Sequence, residues 1–339
     1  MADFPTTARV VIIGGGAVGA SALYHLAKAG WTDCVLLEKN ELTAGSTWHA
    51  AGNVPTFSTS WSIMNMQRYS TELYRGLADA VDYPMNYHVT GSLRLSHSKE
   101  RTQEFERARG MGQYQGIDMA MLTPAEAVDM YPFMETHELH SVLYDPTDGD
   151  IDPAQLTQAL AKGARDLGAK IIRFCPATGV TQTPEGWIVH TEKGDIACEF
   201  VVNAAGYYAQ QVGEWFKPYG GRTVPMMVMS HQYVLTSQVP EVEAFAREKG
   251  GKLPLHVVLR CRVRYFSDGL VLGSQAFVER VFERHRDQFG SKRRSGARPM
   301  RYGVEAGVVE QGLAHRTWVL TSSSGMRAPR GRRPPTRSR

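Results

Sequence analysis

Three glycines and one acid offer the first recognisable chemistry. Gly14, Gly16 and Gly19 stand in the order GxGxxG. In such a run the glycines permit a tight turn, close approach of a pyrophosphate to the backbone, and close packing of helix on strand. A helix starting near Ala17 would aim its first amides and the positive end of its dipole at the phosphates. Glu38 follows Gly19 by 19 residues, where a carboxylate can accept both hydroxyls of a ribose and repel a 2′-phosphate. GxGxxG alone is weak; with a strand before it, a helix after it and an acid at this distance, it predicts a dinucleotide site. NAD and FAD both use this unit, so the neighbouring residues must decide between them.

Those neighbours are polar, then small: EKNELTAGSTWHAAG, Glu38 to Gly52. Gly45, Ser46, Thr47 and Gly52 suit a loop whose amides approach a flavin ring more than they suit a strand or long helix. His49 lies within it. A neutral imidazole is a nucleophile near pH 7, but spacing alone equally allows a histidine that packs or hydrogen-bonds in the loop. A second histidine, His231, sits on a predicted strand, Met226 to Ser237, sharing a face with Tyr233. It could take the proton from a substrate amine or be a satisfied histidine in a sheet core. Arg94 could meet a substrate carboxylate or be a solvated strand residue, and Asp152 reads as a helix cap.

These groups need elements to hold them. Arg9 to Ile13 is a β-branched run fit for a buried parallel strand, Ala20 to Ala29 a helix stopped by Gly30, and Cys34 to Leu37 a second buried strand. Later come a helix from Pro153 to Leu167 capped by Asp152 and stopped by Gly168, and a strand from Lys170 to Phe174. A hairpin of 187–191 and 196–202 is joined through residues 192–195. Between them, Gly91 to Leu95 and Met226 to Thr236 alternate as half-buried strands, and Lys99 to Gly110 and Pro124 to Tyr131 read as surface helices. The expected fold is α/β: a Rossmann-like dinucleotide domain with an inserted antiparallel-sheet α+β substrate domain, cut short at the C-terminus. The boundaries are 8–85 and 145–218 for the first domain, 86–144 and 219–275 for the second, and 276–339 for an arginine-rich tail.

With 42% hydrophobic and 21% charged residues in 339, the chain is neither disordered nor a small disulfide-stapled scaffold. No run nears the roughly 20 apolar residues of a membrane helix, and no basic-then-apolar leader opens the sequence. The four cysteines, Cys34, Cys175, Cys198 and Cys261, form no CxxC pair. Metal ligation is not expected, and a reducing cytoplasm fits best. The net charge of +4 hides an asymmetry: residues 1–254 carry 20 basic and 28 acidic side chains, residues 255–339 carry 18 and 6.

Six collinear blocks over residues 8–254 resemble one family. They are Val10 to Gly19, LLEKNELTAGSTWHAAG (36–52), GSLRL (91–95), DPTDGDIDP (145–153), VVNAAGYYAQQVG (201–213) and HQYVLTS (231–237). The family is the glycine-oxidase/D-amino-acid-oxidase superfamily of flavoproteins, with dimethylglycine and sarcosine dehydrogenases most similar. The resemblance implies FAD, held by Gly14, Gly16, Ala17, Val18, Gly19, Glu38, Lys39, Gly45, Ser46, Thr47, Gly52, Val180, Ala205 and Gly206, and joined covalently through His49. It implies oxidation of the C–N bond of an N-methyl amino acid, with hydride passing to flavin N5 and an iminium formed. His231 and Tyr265 take catalytic roles, and electrons leave to an electron-transfer flavoprotein or to oxygen.

Beyond Pro254 the resemblance thins. Asp268 to Gly273 (DGLVLG) still matches, with Tyr265 just upstream, before arginine-rich text takes over. Out-of-frame translation of a GC-rich gene would produce such text, as would a divergent tail for an anionic surface. No base-reading motif or interleaved aromatics accompany the arginines, so nucleic acid is not expected. A flavin-deficient, non-catalytic homologue is the alternative functional expectation.

Overall fold

The computed structural model describes residues 4–134, 136–226, 228 and 240–248. In chain order the elements are β1 (Thr7–Ile13), α1 (Ala17–Lys28), β2 (Cys34–Leu37), β3 (Asn53–Val54), α2 (Trp61–Val81), β4 (Tyr87–Val89), β5 (Ser92–Ser96), α3 (Lys99–Tyr114), β6 (Ala120–Leu122) and α4 (Pro124–Met130). There follow β7 (Ser141–Asp145), β8 (Gly149–Ile151), α5 (Pro153–Asp166), β9 (Lys170–Ile172), β10 (Ala177–Thr183), β11 (Gly186–Thr191), β12 (Gly194–Asn203), α6 (Ala209–Glu214) and α7 (Pro240–Glu248). The chain divides into two compact units, Met1–Met130 with Thr136–Met229, and Tyr131–Glu135 with Ser230–Arg339. In the second, the described residues include α7, whose Phe245 meets Phe133 edge to face at 5.5 Å.

The first unit is organised by a six-stranded sheet in the order β10-β11-β12-β1-β2-β9. Strands β12, β1, β2 and β9 run parallel, and β10-β11-β12 is an antiparallel meander. Two three-stranded antiparallel sheets, β3-β8-β4 and β5-β7-β6, draw on residues 53–151.

The unbroken apolar runs of β1 and β2 are explained by burial on both faces. Val10, Ile12, Cys34 and Leu36 point into a core shared with α1 and α5, while Val11, Ile13, Val35 and Leu37 point to the opposite face, against Val189 and Ile196. Each such side chain, fully buried, contributes about 1.5–3 kcal/mol. On the helical side, Ala20, Leu23 and Ala27 of α1 meet Leu156, Ala159 and Leu160 of α5. Gly163 permits that closeness: a Cβ there would stand 2.7 Å from Tyr24 of α1 and from Val81 of α2.

Helix α5 begins as expected, with Asp152 Oδ1 accepting from the amides of Ala154 (2.8 Å) and Gln155 (3.0 Å). It ends before Gly168, which adopts a φ of 97°. Of the boundaries that differ from expectation, three have a visible cause. The hairpin closes through Glu192 and Lys193 alone, because Thr191 already pairs with Gly194. Strand β9 stops at Ile172, and Phe174 takes a φ of 51° as the chain turns away. Helix α3 continues to Tyr114, past Gly110 and into Gly112, which packs tightly on Met119. The expected strand Met226 to Thr236 lies almost entirely outside the described residues.

Candidate dinucleotide site

Parallel strands β12, β1 and β2 deliver their carboxyl ends to one edge of the sheet. The three segments that leave them, 204–208, 14–19 and 38–52, lie together there. A crevice outside the carboxyl ends of parallel strands is where open α/β sheets bind ligands. The glycine turn follows β1 without slack: Gly14 N–H donates to Leu37 O (2.9 Å), and Ala204 N–H donates to Ile13 O (2.9 Å). Gly14 sits at φ 117°, with its ideal Cβ 2.3 Å from Ala204 O; at Gly19 the Cβ would stand 1.9 Å from Gly14 O. Both positions exclude any side chain. Gly16 differs, since the nearest atom to its Cβ would be the Thr47 hydroxyl at 3.0 Å. Apart from that hydroxyl nothing crowds it at the start of α1, where an anion can approach the amides. Val18, in the first turn of that helix, is 73% exposed, an apolar surface left for something to cover.

The loop after β2 is fastened to this turn at three points. Glu38 Oε2 accepts from Gly15 N (2.7 Å), Thr43 N–H donates to Gly15 O (3.1 Å), and Thr47 Oγ1 accepts from Ala17 N (3.0 Å). Helix α1 has no capping side chain of its own at Gly16, so Thr47 supplies the cap from 30 residues away. The other carboxylate oxygen of Glu38 accepts from Asn40 N (2.8 Å). Each oxygen thus holds one backbone amide and keeps a lone pair for a ribose hydroxyl. Residues 41–49 form turns rather than a strand or helix, as their composition predicts. Within them, His49 Nδ1 lies 2.9 Å from Gly45 O. A carbonyl only accepts, so the neutral ring carries its hydrogen on Nδ1 and presents the lone pair on Nε2. Gly52 (φ 69°) ends the loop, its ideal Cβ only 2.0 Å from Ile151 O.

Beyond Gly52 the chain is anchored by a buried polar network. Thr56 N–H donates to Asp148 Oδ1 (2.6 Å). Ser92 Oγ and Arg94 Nη2 donate to Asp148 Oδ2 at 2.5 and 3.1 Å, and Thr56 Oγ1 bonds Asp145 Oδ2 very closely. Burial, followed by the neighbouring Asp148 charge, holds the Asp145 carboxyl above the usual carboxylate range. Thr56 Oγ1 donates to Asp145 Oδ2 and also lies 3.1 Å from Asp148 Oδ1, and Thr147 Oγ1 donates to Asp145 Oδ1 at 2.7 Å. Arg94 is therefore not a solvated strand residue. It is 7% exposed, committed to Asp148, with its guanidinium over Phe57 at 4.4 Å.

Of the other expected contacts, Ala205 and Gly206 follow β12 at the crevice. Ser46 and Gly45 lie in the loop, with Gly45 facing Tyr207. Val180 is buried in the core beneath the meander, with its side chain among Val189 and Ile196. His231 and Tyr265 lie outside the described residues, as do Cys261 and the tail 276–339. Cys34, Cys175 and Cys198 are free and buried, and burial raises the Cys198 thiol to about 11. Tyr207 and Tyr208, which escaped the sequence analysis, stand beside Lys39 at the crevice. Their signal was a tyrosine pair directly after Ala204-Ala-Gly206.

An open amide cradle, a cofactor-facing acid and two glycines that tolerate no Cβ fit a dinucleotide. Residues 9–334 match the family model described as "DAO: FAD dependent oxidoreductase". The chain belongs to this family of FAD-dependent oxidoreductases. The match runs beyond residue 254, so part of the basic C-terminal stretch falls inside it. Among relatives, the chain is 40% identical to dimethylglycine dehydrogenase, mitochondrial, of Rattus norvegicus, covering 82% of this chain and 32% of that protein. It is 35% identical to sarcosine dehydrogenase, mitochondrial, of Homo sapiens, covering 70% and 26%. Its fold is similar to the crystal structure of L-proline dehydrogenase from P. horikoshii, with a TM-score of 0.59 and 27% identity over 62% of this chain and 56% of that one. The chain spans about a quarter to a third of the length of these curated relatives.

Proposed function

We propose that this chain binds FAD at the glycine-turn crevice, bonds it covalently through His49, and oxidises the C–N bond of an N-methyl amino acid of the dimethylglycine or sarcosine type. The observation that carries the covalent assignment is the His49–Gly45 hydrogen bond, which leaves Nε2 as the nucleophilic nitrogen on a loop fastened to the phosphate cradle. The substrate class rests on the two dehydrogenase relatives.

The amides at the start of α1, other than that of Ala17 which donates to Thr47, would hold the pyrophosphate, and Glu38 the ribose. Bound FAD supplies the two-electron acceptor for a hydride leaving the carbon beside nitrogen. For that hydride to leave, the nitrogen must be neutral, and His231 is assigned to take its proton, with Tyr265 assigned a second catalytic role. The nitrogen lone pair then closes a C=N bond, and water hydrolyses the iminium to formaldehyde and the demethylated amino acid. Electrons pass onward to an electron-transfer flavoprotein.

The test is spectroscopic. Purified chain should show flavin absorbance near one equivalent. Acid precipitation should carry the yellow colour down with wild type and leave it in solution with His49→Ala. Dimethylglycine or sarcosine should reduce an acceptor dye. Colourless protein that takes up no added FAD refutes the assignment; yellow protein that releases all flavin in acid refutes the covalent bond alone.

A further inference from the structure

The loop that carries His49 is held at its two ends rather than along its middle. Residues 48–51 are all exposed, Trp48 by 67%, so core packing does not fix them. Upstream, Glu38, Thr43 and Thr47 bind the glycine turn. Downstream, the chain is laid onto residues 148–151 contact by contact. Ile151 N–H donates to Gly52 O (2.8 Å), Asn53 pairs with Asp150, and Val54 pairs with Gly149. Strand β3 has only these two residues, and Pro55 after it has no amide to donate. Asp148 closes the run: its Oδ1 accepts from Thr56 N–H at 2.6 Å.

The two carboxylate oxygens of Asp148 serve different parts of the fold. While Oδ1 holds Thr56, Oδ2 accepts from Ser92 Oγ and from the Arg94 guanidinium, both on β5. The backbone oxygen of Asp148 accepts from the amides of Thr90 (3.1 Å) and Gly91 (2.9 Å), just before that strand. One residue, 1% exposed, thus ties the end of the His49 loop to β5, which is itself paired with β7 along its whole length. Hydrogen bonds to a carboxylate are about twice as strong as neutral ones, and this one is out of water. Phe57 continues the anchor, edge to face with Phe105 at 5.7 Å and beneath the Arg94 guanidinium.

We propose that Asp148 is a positioning residue for the flavin end of the dinucleotide: it holds the downstream end of the His49 loop, and with it the exposed residues 48–51 against which the ring binds. The proposal rests on the FAD reading above and adds what sets the place of that loop. The ADP end belongs to the glycine turn, which the upstream bonds hold without Asp148. Loss of the clamp therefore acts on the ring end, by lowering the fraction of chains whose loop stands in its binding position.

Titration of the flavin-free full chain with FAD and with ADP tests it, in a His49→Ala background so that no covalent bond forms. Asp148→Ala should weaken FAD about tenfold, the scale of one hydrogen bond to a charged group, and ADP less than about twofold. Ser92→Ala removes a donor from Oδ2 and leaves the Thr56 clamp in place. It should lower the melting temperature and leave the ratio of FAD to ADP affinity unchanged. A purely structural role moves the melting temperature and not that ratio, so equal losses for FAD and ADP in Asp148→Ala overturn the proposal. A ratio shifted as far in Ser92→Ala overturns it too. If Asp148→Ala does not fold, hydrogen exchange in the His49→Ala chain decides. The Thr56 amide should exchange slowly before any ligand is added, and residues 48–51 should gain protection with FAD and not with ADP. A Thr56 amide that exchanges like a free one, or equal protection by ADP, overturns the proposal. A chain that binds neither FAD nor ADP refutes the site itself, a separate result.

Discussion

Replacing Gly19 and Gly16 by alanine in turn separates the scaffold role of the glycine turn from its ligand role. At Gly19 the new Cβ would lie 1.9 Å from Gly14 O, whereas real Cβ contacts essentially never fall under 3.0 Å. The two backbone segments must part by about 1.1 Å. The obstructing atom is a carbonyl, so no side chain can swing aside. Overpacking of this kind costs about 1–3 kcal/mol, which in a unit of this size lowers the melting temperature by roughly 2–12 °C. Because α1 moves, its first amides leave their aim, and each misdirected hydrogen bond to an anion costs about 1.5–3 kcal/mol. FAD affinity should therefore fall by at least about tenfold as well. Gly16→Ala should behave differently. Gly16 has a φ of −80°, which alanine adopts freely, and its Cβ meets only the Thr47 hydroxyl at 3.0 Å. Its melting temperature should fall less than that of Gly19→Ala, by at most the loss of the Thr47 cap, while FAD binding weakens, since the methyl narrows the mouth of the cradle. Circular dichroism melts of flavin-free protein, paired with FAD titration, read both effects. A Gly19→Ala chain with wild-type melting and affinity would refute the close-packing explanation, and a Gly16→Ala chain as unstable as Gly19→Ala would refute the division of labour.

Three further predictions follow from other parts of the first unit. The Asp145 carboxyl titrates higher in the folded chain than in the unfolded one, so its contribution to stability is complete below the unfolded value and is lost as pH rises through the folded one. Asp145→Asn should flatten that decline with rising pH in denaturant melts, and an unchanged pH profile would count against a raised carboxyl there. Thr47→Val removes the cap on Ala17 and should cost about 1 kcal/mol, with Thr47→Ser recovering most of it; equal losses in both would mean the hydroxyl is not the cap. Asp82 closes α2 at φ 48°, so Asp82→Gly should raise stability by about 0.5–1 kcal/mol in the same melts, and a loss would contradict the left-handed assignment.

The parts of this fold that are plain in the sequence are those whose neighbours in space are also neighbours along the chain. β1, the glycine turn, α1 and β2 lie within 31 residues of one another, and burial of both strand faces writes itself as unbroken β-branched and leucine runs. Helix α5 announces itself through Asp152, Pro153 and Gly168. Helix α2 did not, although it has 21 residues. Its buried positions, Met64, Thr71, Leu77 and Val81, are sparse, and Trp61, Ile63, Met66 and Tyr69 are large and exposed, so no clean apolar stripe forms. Strands β3, β4 and β8, of two or three residues each, are too short to show a period. The site divides in the same way. The glycines, Glu38 and the histidine loop are contiguous motifs, whereas the Thr56–Asp148 bond spans 92 positions and the Lys39–Tyr208 contact joins the ends of different strands. Arg94 shows the limit most clearly: its charge suggested solvent or substrate, and only the fold brings Asp148 to meet it.

The grip of Glu38 on Gly15 has an evolutionary corollary. The carboxylate that would select an unphosphorylated ribose is also the brace of the turn beneath it, so the cradle is preorganised before any ligand enters. Exchanging Glu38 for a residue that welcomes a 2′-phosphate would remove both functions in one step. Nucleotide preference at this position is therefore locked to the folding of the turn, and a lineage seeking a different cofactor would first have to build a substitute brace elsewhere.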